Sequence, residues 1–168
     1  MSPDLVDDAP GPLLVGYGNS LREDDGVGWH AAAALAVDPR FARCTVRQEF
    51  QLLPELAADV AMAGRVVLID ARAAYDVPPG TLSWRTVAPE PRGTGFSSHH
   101  VTPEALLALT LQLYGAAPPT VLVEVATRHF GEGVASLTAP VAAALPAVAD
   151  LVARVLSNPT RRTPEPTL

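Results

Sequence analysis

Lysine is missing from this chain, and all twelve basic residues are arginine. A phosphate-binding loop ending in Lys-Ser or Lys-Thr is therefore excluded. Cysteine occurs once, at Cys44, which rules out an intramolecular disulfide and a cysteine-built zinc site. No apolar run reaches the roughly 20 residues that span a bilayer, so no membrane association is expected. The start, Met1-Ser2-Pro3-Asp4, has no basic region ahead of an apolar one. Without a secretory signal the expected location is the cytoplasm. Positive charge is sparse and scattered in a chain of net charge −6, which argues against a nucleic-acid partner.

What is present fits one α/β domain. The 168 residues are 48% hydrophobic, enough for a real core. Residues 1–11 read as a flexible leader, 12–157 as the domain, and 158–168 as a disordered Pro-rich tail. Strands are expected at Leu13–Tyr17, Cys44–Phe50, Arg65–Ala71, Thr81–Val87 and Thr120–Val125. The alternation in Thr81–Val87 marks an edge strand. Helices are expected over Asp25–Val37, over Pro54–Ala61, and from the cap at Thr102 to Gly115, with Leu106, Leu109 and Leu113 as the apolar face. A last helix follows Thr138, with Val141, Leu145, Val148, Val152 and Val155 inward and a kink at Pro146.

The stretch from Leu13 to Gly28 organises the rest. Its apolar run breaks into Gly16-Tyr17-Gly18-Asn19-Ser20-Leu21-Arg22-Glu23-Asp24-Asp25-Gly26, and a helix-forming segment follows. Strand, tight turn and helix open a doubly wound domain, whose ligands sit at the carboxyl ends of the strands. The third glycine of a dinucleotide fingerprint would fall at Leu21 and is absent. Three acidic residues here would also repel a pyrophosphate. Asp24 or Asp25 has a bland reading as a helix cap, but one Asp suffices for that. A second carboxylate at the strand exit suggests a cation.

Asp70 closes the run Val66-Val67-Leu68-Ile69, and His99 precedes a helix in Phe96-Ser97-Ser98-His99-His100. Asp25, Asp70 and His99 together form a mixed O/N donor set suited to Zn²⁺, Ni²⁺ or Mn²⁺. Each also has a plainer reading: a cap, a turn residue and a solvent-facing loop histidine. Ser20, Ser97 or Ser98 beside His99 is the competing nucleophilic chemistry, but none lies in a Gly-x-Ser-x-Gly elbow. His30 reads as packing or surface, His129 as a residue near the site, and Cys44 as a small core residue.

The first motif, followed by Leu68-Ile69-Asp70-Ala71 and then Ser97-Ser98-His99-His100, resembles the hydrogenase maturation protease family from about Leu13 to Leu156. These endopeptidases trim the C-terminus of the [NiFe] hydrogenase large subunit. The Asp-Asp-Gly form resembles the branch serving bidirectional, NAD-linked hydrogenases. The resemblance implies a three-layer α/β/α fold, phosphorylase/hydrolase-like, with a mixed five-stranded sheet containing one antiparallel strand. It implies Asp25, Asp70 and His99 as catalytic and metal-contacting residues, His100 being the alternative imidazole, and no organic cofactor. The implied partner is the large-subunit precursor, met by a monomer. Two carboxylates and one histidine make an incomplete shell, so nickel is expected to arrive in the precursor. A non-cleaving nickel-checkpoint chaperone is the alternative.

Overall fold

The computed structural model describes residues 10–91 and 101–157. The leader before residue 10, the Pro-rich tail, and the segment carrying Ser97, Ser98, His99 and His100 lie outside the described residues. Five strands form one sheet: β1 (Pro12–Tyr17), β2 (Thr45–Glu49), β3 (Arg65–Ala73), β4 (Leu82–Val87) and β5 (Thr120–Thr127). Their order is β2-β1-β3-β5-β4. All pairs are parallel except β4 with β5, which is antiparallel. The mixed sheet with one reversed edge strand is the expected architecture, and the reversed strand is the one marked by its alternation.

Among the described residues, four α-helices cover the sheet: α1 (Val27–Val37), α2 (Leu56–Met62), α3 (Pro103–Tyr114) and α4 (Ala139–Ser157). Side chains alternate across a strand, so β1 and β3 feed two cores. Leu14, Val67, Ile69 and Val123 pack with α1 and α4. Leu13, Val15, Leu68 and Leu122 pack with α2 and α3. α1 lies close on the sheet because Gly16 and Gly28 meet backbone to backbone. A Cβ on Gly28 would collide with the carbonyl oxygens of Tyr17 and Ile69.

Several details differ from the sequence expectations. α1 begins at Val27, after a 3-10 turn over Glu23–Gly26, because the Asp25 N–H donates to the Arg22 carbonyl at 3.1 Å and tightens the chain. The inward face of α3 is Ala105, Leu106, Leu107 and Thr110, while Leu113 is exposed. The many leucines of α3 make it apolar around its circumference, and packing against α2 selects the face. β3 runs on to Ala73 because β5 pairs with it that far, through Ala73 opposite Thr127. By length and composition α4 could cross a membrane, at a mean hydropathy of 1.6. Its valines and Leu151 are instead buried against the sheet and α1, and alanines cover much of its outer surface. It continues through Pro146 as one helix.

Candidate active site

The three consecutive acids after β1 have different jobs, and none caps a helix: α1 has Gly26 at its N-cap, with no side-chain cap. Glu23 has a positive φ of 53°, a strained conformation for a residue with a side chain. It is held by its N–H on the Val134 carbonyl at 2.8 Å and by its carboxylate, which accepts from the Gly131 N–H at 3.1 Å. Asp24 is fully buried. Its carboxylate accepts from the Thr138 N–H at 2.7 Å, the Thr138 hydroxyl at 2.8 Å and the Thr127 hydroxyl. It thereby ties the turn after β1 to the end of β5 and the start of α4.

Asp25 points elsewhere. One carboxylate oxygen accepts the Asn19 N–H at 3.0 Å, and the residue lines a cavity of about 320 Å³ at the exit of β1. Asp70 lines the same cavity. The Gly18 backbone makes the turn possible with a φ of 137°, at a point where a Cβ would strike the Asp25 carbonyl. Two of the expected site residues are thus brought together. The third, His99, lies outside the described residues, as does His100, although Val101 lines the cavity. Among the described residues, no three His, Cys, Asp or Glu side chains are grouped to hold a metal ion.

Burial pushes the Asp70 carboxyl up to about 7, and the Asp25 and Glu124 charges push the same way. A hydrogen bond from the Tyr17 phenol and one from the Ala71 N–H, at 2.8 Å, oppose that rise. Burial also raises the Tyr17 phenol, with Asp70 adding to the effect. Tyr17 therefore stays protonated and donates to Asp70. Glu124 sits opposite Asp70 in the β3–β5 register. Tyr17 and Glu124 were not singled out by the sequence reading. The signal available was a lone hydroxyl-bearing residue in an aliphatic strand and a lone acid inside Thr120-Val121-Leu122-Val123-Glu124-Val125, since buried polar groups need partners.

The remaining candidates lie apart from the cavity lining. His30 is on α1 with a buried, unpartnered Nε2. His129 is exposed, its backbone N–H on the Thr127 hydroxyl at 3.2 Å. Cys44 is half-buried against the α1–α4 core, and burial raises its thiol. Ser20 is half-buried in the turn and is not part of the cavity wall.

Solved structures share this fold. A hydrogenase 2 maturation peptidase from Thaumarchaeota archaeon SCGC_AB-539-E09 is 25% identical, over 88% of this chain and 98% of that one, with a TM-score of 0.66. The [NiFe] hydrogenase maturation protease HycI from Thermococcus kodakarensis KOD1 is 18% identical, over 92% and 97%, with a TM-score of 0.68. The hydrogenase maturating endopeptidase HybD from E. coli is 23% identical, over 88% and 93%, with a TM-score of 0.66. The chain has the hydrogenase maturation protease fold. No protein-family model and no curated protein matches it. Within the maturation protease fold, then, this chain places two carboxylates in one cavity at the carboxyl ends of β1 and β3.

Proposed function

We propose that the chain is an endopeptidase that removes a C-terminal peptide from the [NiFe] hydrogenase large-subunit precursor after nickel insertion. One observation carries this reading: Asp25 and Asp70 share a cavity in a fold common to proteins named as hydrogenase maturation peptidases. The family resemblance gives His99, with His100 as the alternative imidazole, as the third contact.

Two oxygen donors leave most of a transition metal's coordination shell open. Nickel carried by the substrate, held there by softer ligands, is compatible with O/N donors on its other side. In this reading nickel belongs to the substrate, and the hydrolysis needs no organic cofactor. Peptide hydrolysis adds water to the scissile carbonyl carbon, breaks the C–N bond and delivers a proton to the departing nitrogen. Asp70, held near 7, is poised to exchange a proton at neutral pH, as a general base requires. Asp25 keeps its orientation through the Asn19 N–H.

The test is mass spectrometry of the large subunit after incubation of metal-stripped protein with nickel-loaded and nickel-free precursor. A mass loss confined to the nickel-loaded form is expected. Cutting of the nickel-free form would overturn recognition through nickel and point to a metal-independent, serine-type enzyme. A stable complex with unchanged mass would point to a checkpoint chaperone.

A further inference from the structure

β2 is an edge of the sheet, and its outer side is chemically open. The Glu49 carbonyl accepts the Gly18 N–H at 3.1 Å, so Glu49 turns its backbone polar groups toward β1. Backbone groups alternate along a strand. Thr45 and Arg47 therefore also face β1, and Val46 and Gln48 face outward. Among the described residues, the N–H and C=O groups of Val46 and Gln48 have no backbone partner beyond the sheet.

The strand also leads somewhere. Directly after Glu49, Phe50, Gln51 and Leu52 line the cavity that holds Asp25 and Asp70. Phe50 is 54% exposed and stacks on Trp29, with ring centroids 4.7 Å apart. An exposed aromatic shelf thus stands between a free strand edge and two carboxylates. The opposite edge, β4, contributes no residue to the cavity wall.

We infer that the precursor segment carrying the scissile bond binds as an added strand on β2, hydrogen-bonded to Val46 and Gln48, with a side chain resting on Phe50. The inference rests on the endopeptidase reading above. A peptide bond must be presented in an extended form to be attacked, and strand addition supplies that form through main-chain hydrogen bonds. The β2 edge delivers the chain into the cavity without any rearrangement of the sheet. Five residues, with Arg47 ion-paired to Asp59 at 2.9 Å, give an edge too short and too charged for ready self-pairing.

Hydrogen–deuterium exchange of the unmodified protein, with and without nickel-loaded precursor, tests this directly. The Val46 and Gln48 amides should become protected when precursor binds. A Val46→Pro variant removes one outward N–H and leaves the β1 ladder intact. It should raise KM about tenfold with little change in kcat, and its thermal melt reports whether the fold is kept. Processing without protection at these amides overturns the strand addition and leaves the endopeptidase reading standing. So does normal KM in a folded Val46→Pro variant. Protection without processing supports the docking edge and overturns the protease reading instead.

Discussion

The two faces of the sheet follow the same alternation until their last row. On the α1–α4 face, Leu14, Val67, Ile69, Val123 and Val125 are apolar, and Thr127 at the end of β5 spends its hydroxyl on the buried Asp24. On the α2–α3 face, Leu13 and Val15 lead to Tyr17, Val66 and Leu68 lead to Asp70, and Leu122 leads to Glu124. The registers place Tyr17, Asp70 and Glu124 side by side across three strands. One face is sealed, and the other ends in a row of groups that must find partners or water. The candidate site is made by changing that single row, while the apolar rows beneath hold it in place.

The largest expected effect comes from breaking the open face at its carboxylates. Asp25→Asn and Asp70→Asn should each lower processing of nickel-loaded precursor by well over tenfold, followed by mass spectrometry, with circular dichroism unchanged. Retained processing in either variant would remove that residue from the mechanism.

Next is the buried clamp beneath the site. Asp24→Ala leaves the Thr127 hydroxyl and the Thr138 N–H and hydroxyl without their acceptor. Unsatisfied buried groups bonded to a charge cost about 2–4 kcal/mol in total, read as a lower urea midpoint. Asp25→Ala, which faces the cavity, should cost under about 1 kcal/mol. The neighbouring acids are thereby separated by stability, not activity.

That separation also marks how far the sequence was legible. The strands β1, β3 and β5 were readable because each carries an apolar core run, Leu13–Val15, Val66–Ile69 and Val121–Val123, and β4 because its alternation suits an edge. The convergence of Asp25 and Asp70 followed from strand-end placement in a doubly wound sheet. The division of labour among Glu23, Asp24 and Asp25 was not readable. It depends on partners more than 100 residues away, at Thr127, Gly131 and Thr138, which no local pattern announces. The α3 face was misread for a related reason: with leucines on every side, only the presence of α2 decides which are covered.

A stability effect of similar size should appear in the pH dependence of folding. The Asp70 carboxyl is raised from an ordinary 3.8 to about 7 in the folded protein. Between those values the native state binds the extra proton and the unfolded state does not, so stability falls as pH rises through that window. Above about 7 the penalty is fully present. Metal-free Asp70→Asn lacks this titration. It should therefore melt above the wild type at pH 8 and level with it near pH 4. Equal melting temperatures at pH 8 would mean that the Asp70 carboxylate is better solvated than its burial implies.

The smallest effect should come from Tyr17→Phe, which probes the shared row itself. Burial keeps the phenol protonated, so Tyr17 donates to Asp70 and favours the ionised carboxylate. Removing that donor leaves desolvation and the Asp25 and Glu124 charges to act with less opposition, so the Asp70 carboxyl moves further up. The cost in stability should be about 1 kcal/mol, since a hydroxyl is lost and the ring remains. Processing at pH 7 should fall about two- to fivefold, because fewer molecules carry an ionised Asp70. Raising the pH should restore it, since deprotonation recovers the same carboxylate. The signature is an acid limb of kcat/KM shifted to higher pH with an unchanged plateau. An unshifted limb would separate Tyr17 from Asp70. A lowered plateau would give the phenol a role at the substrate itself.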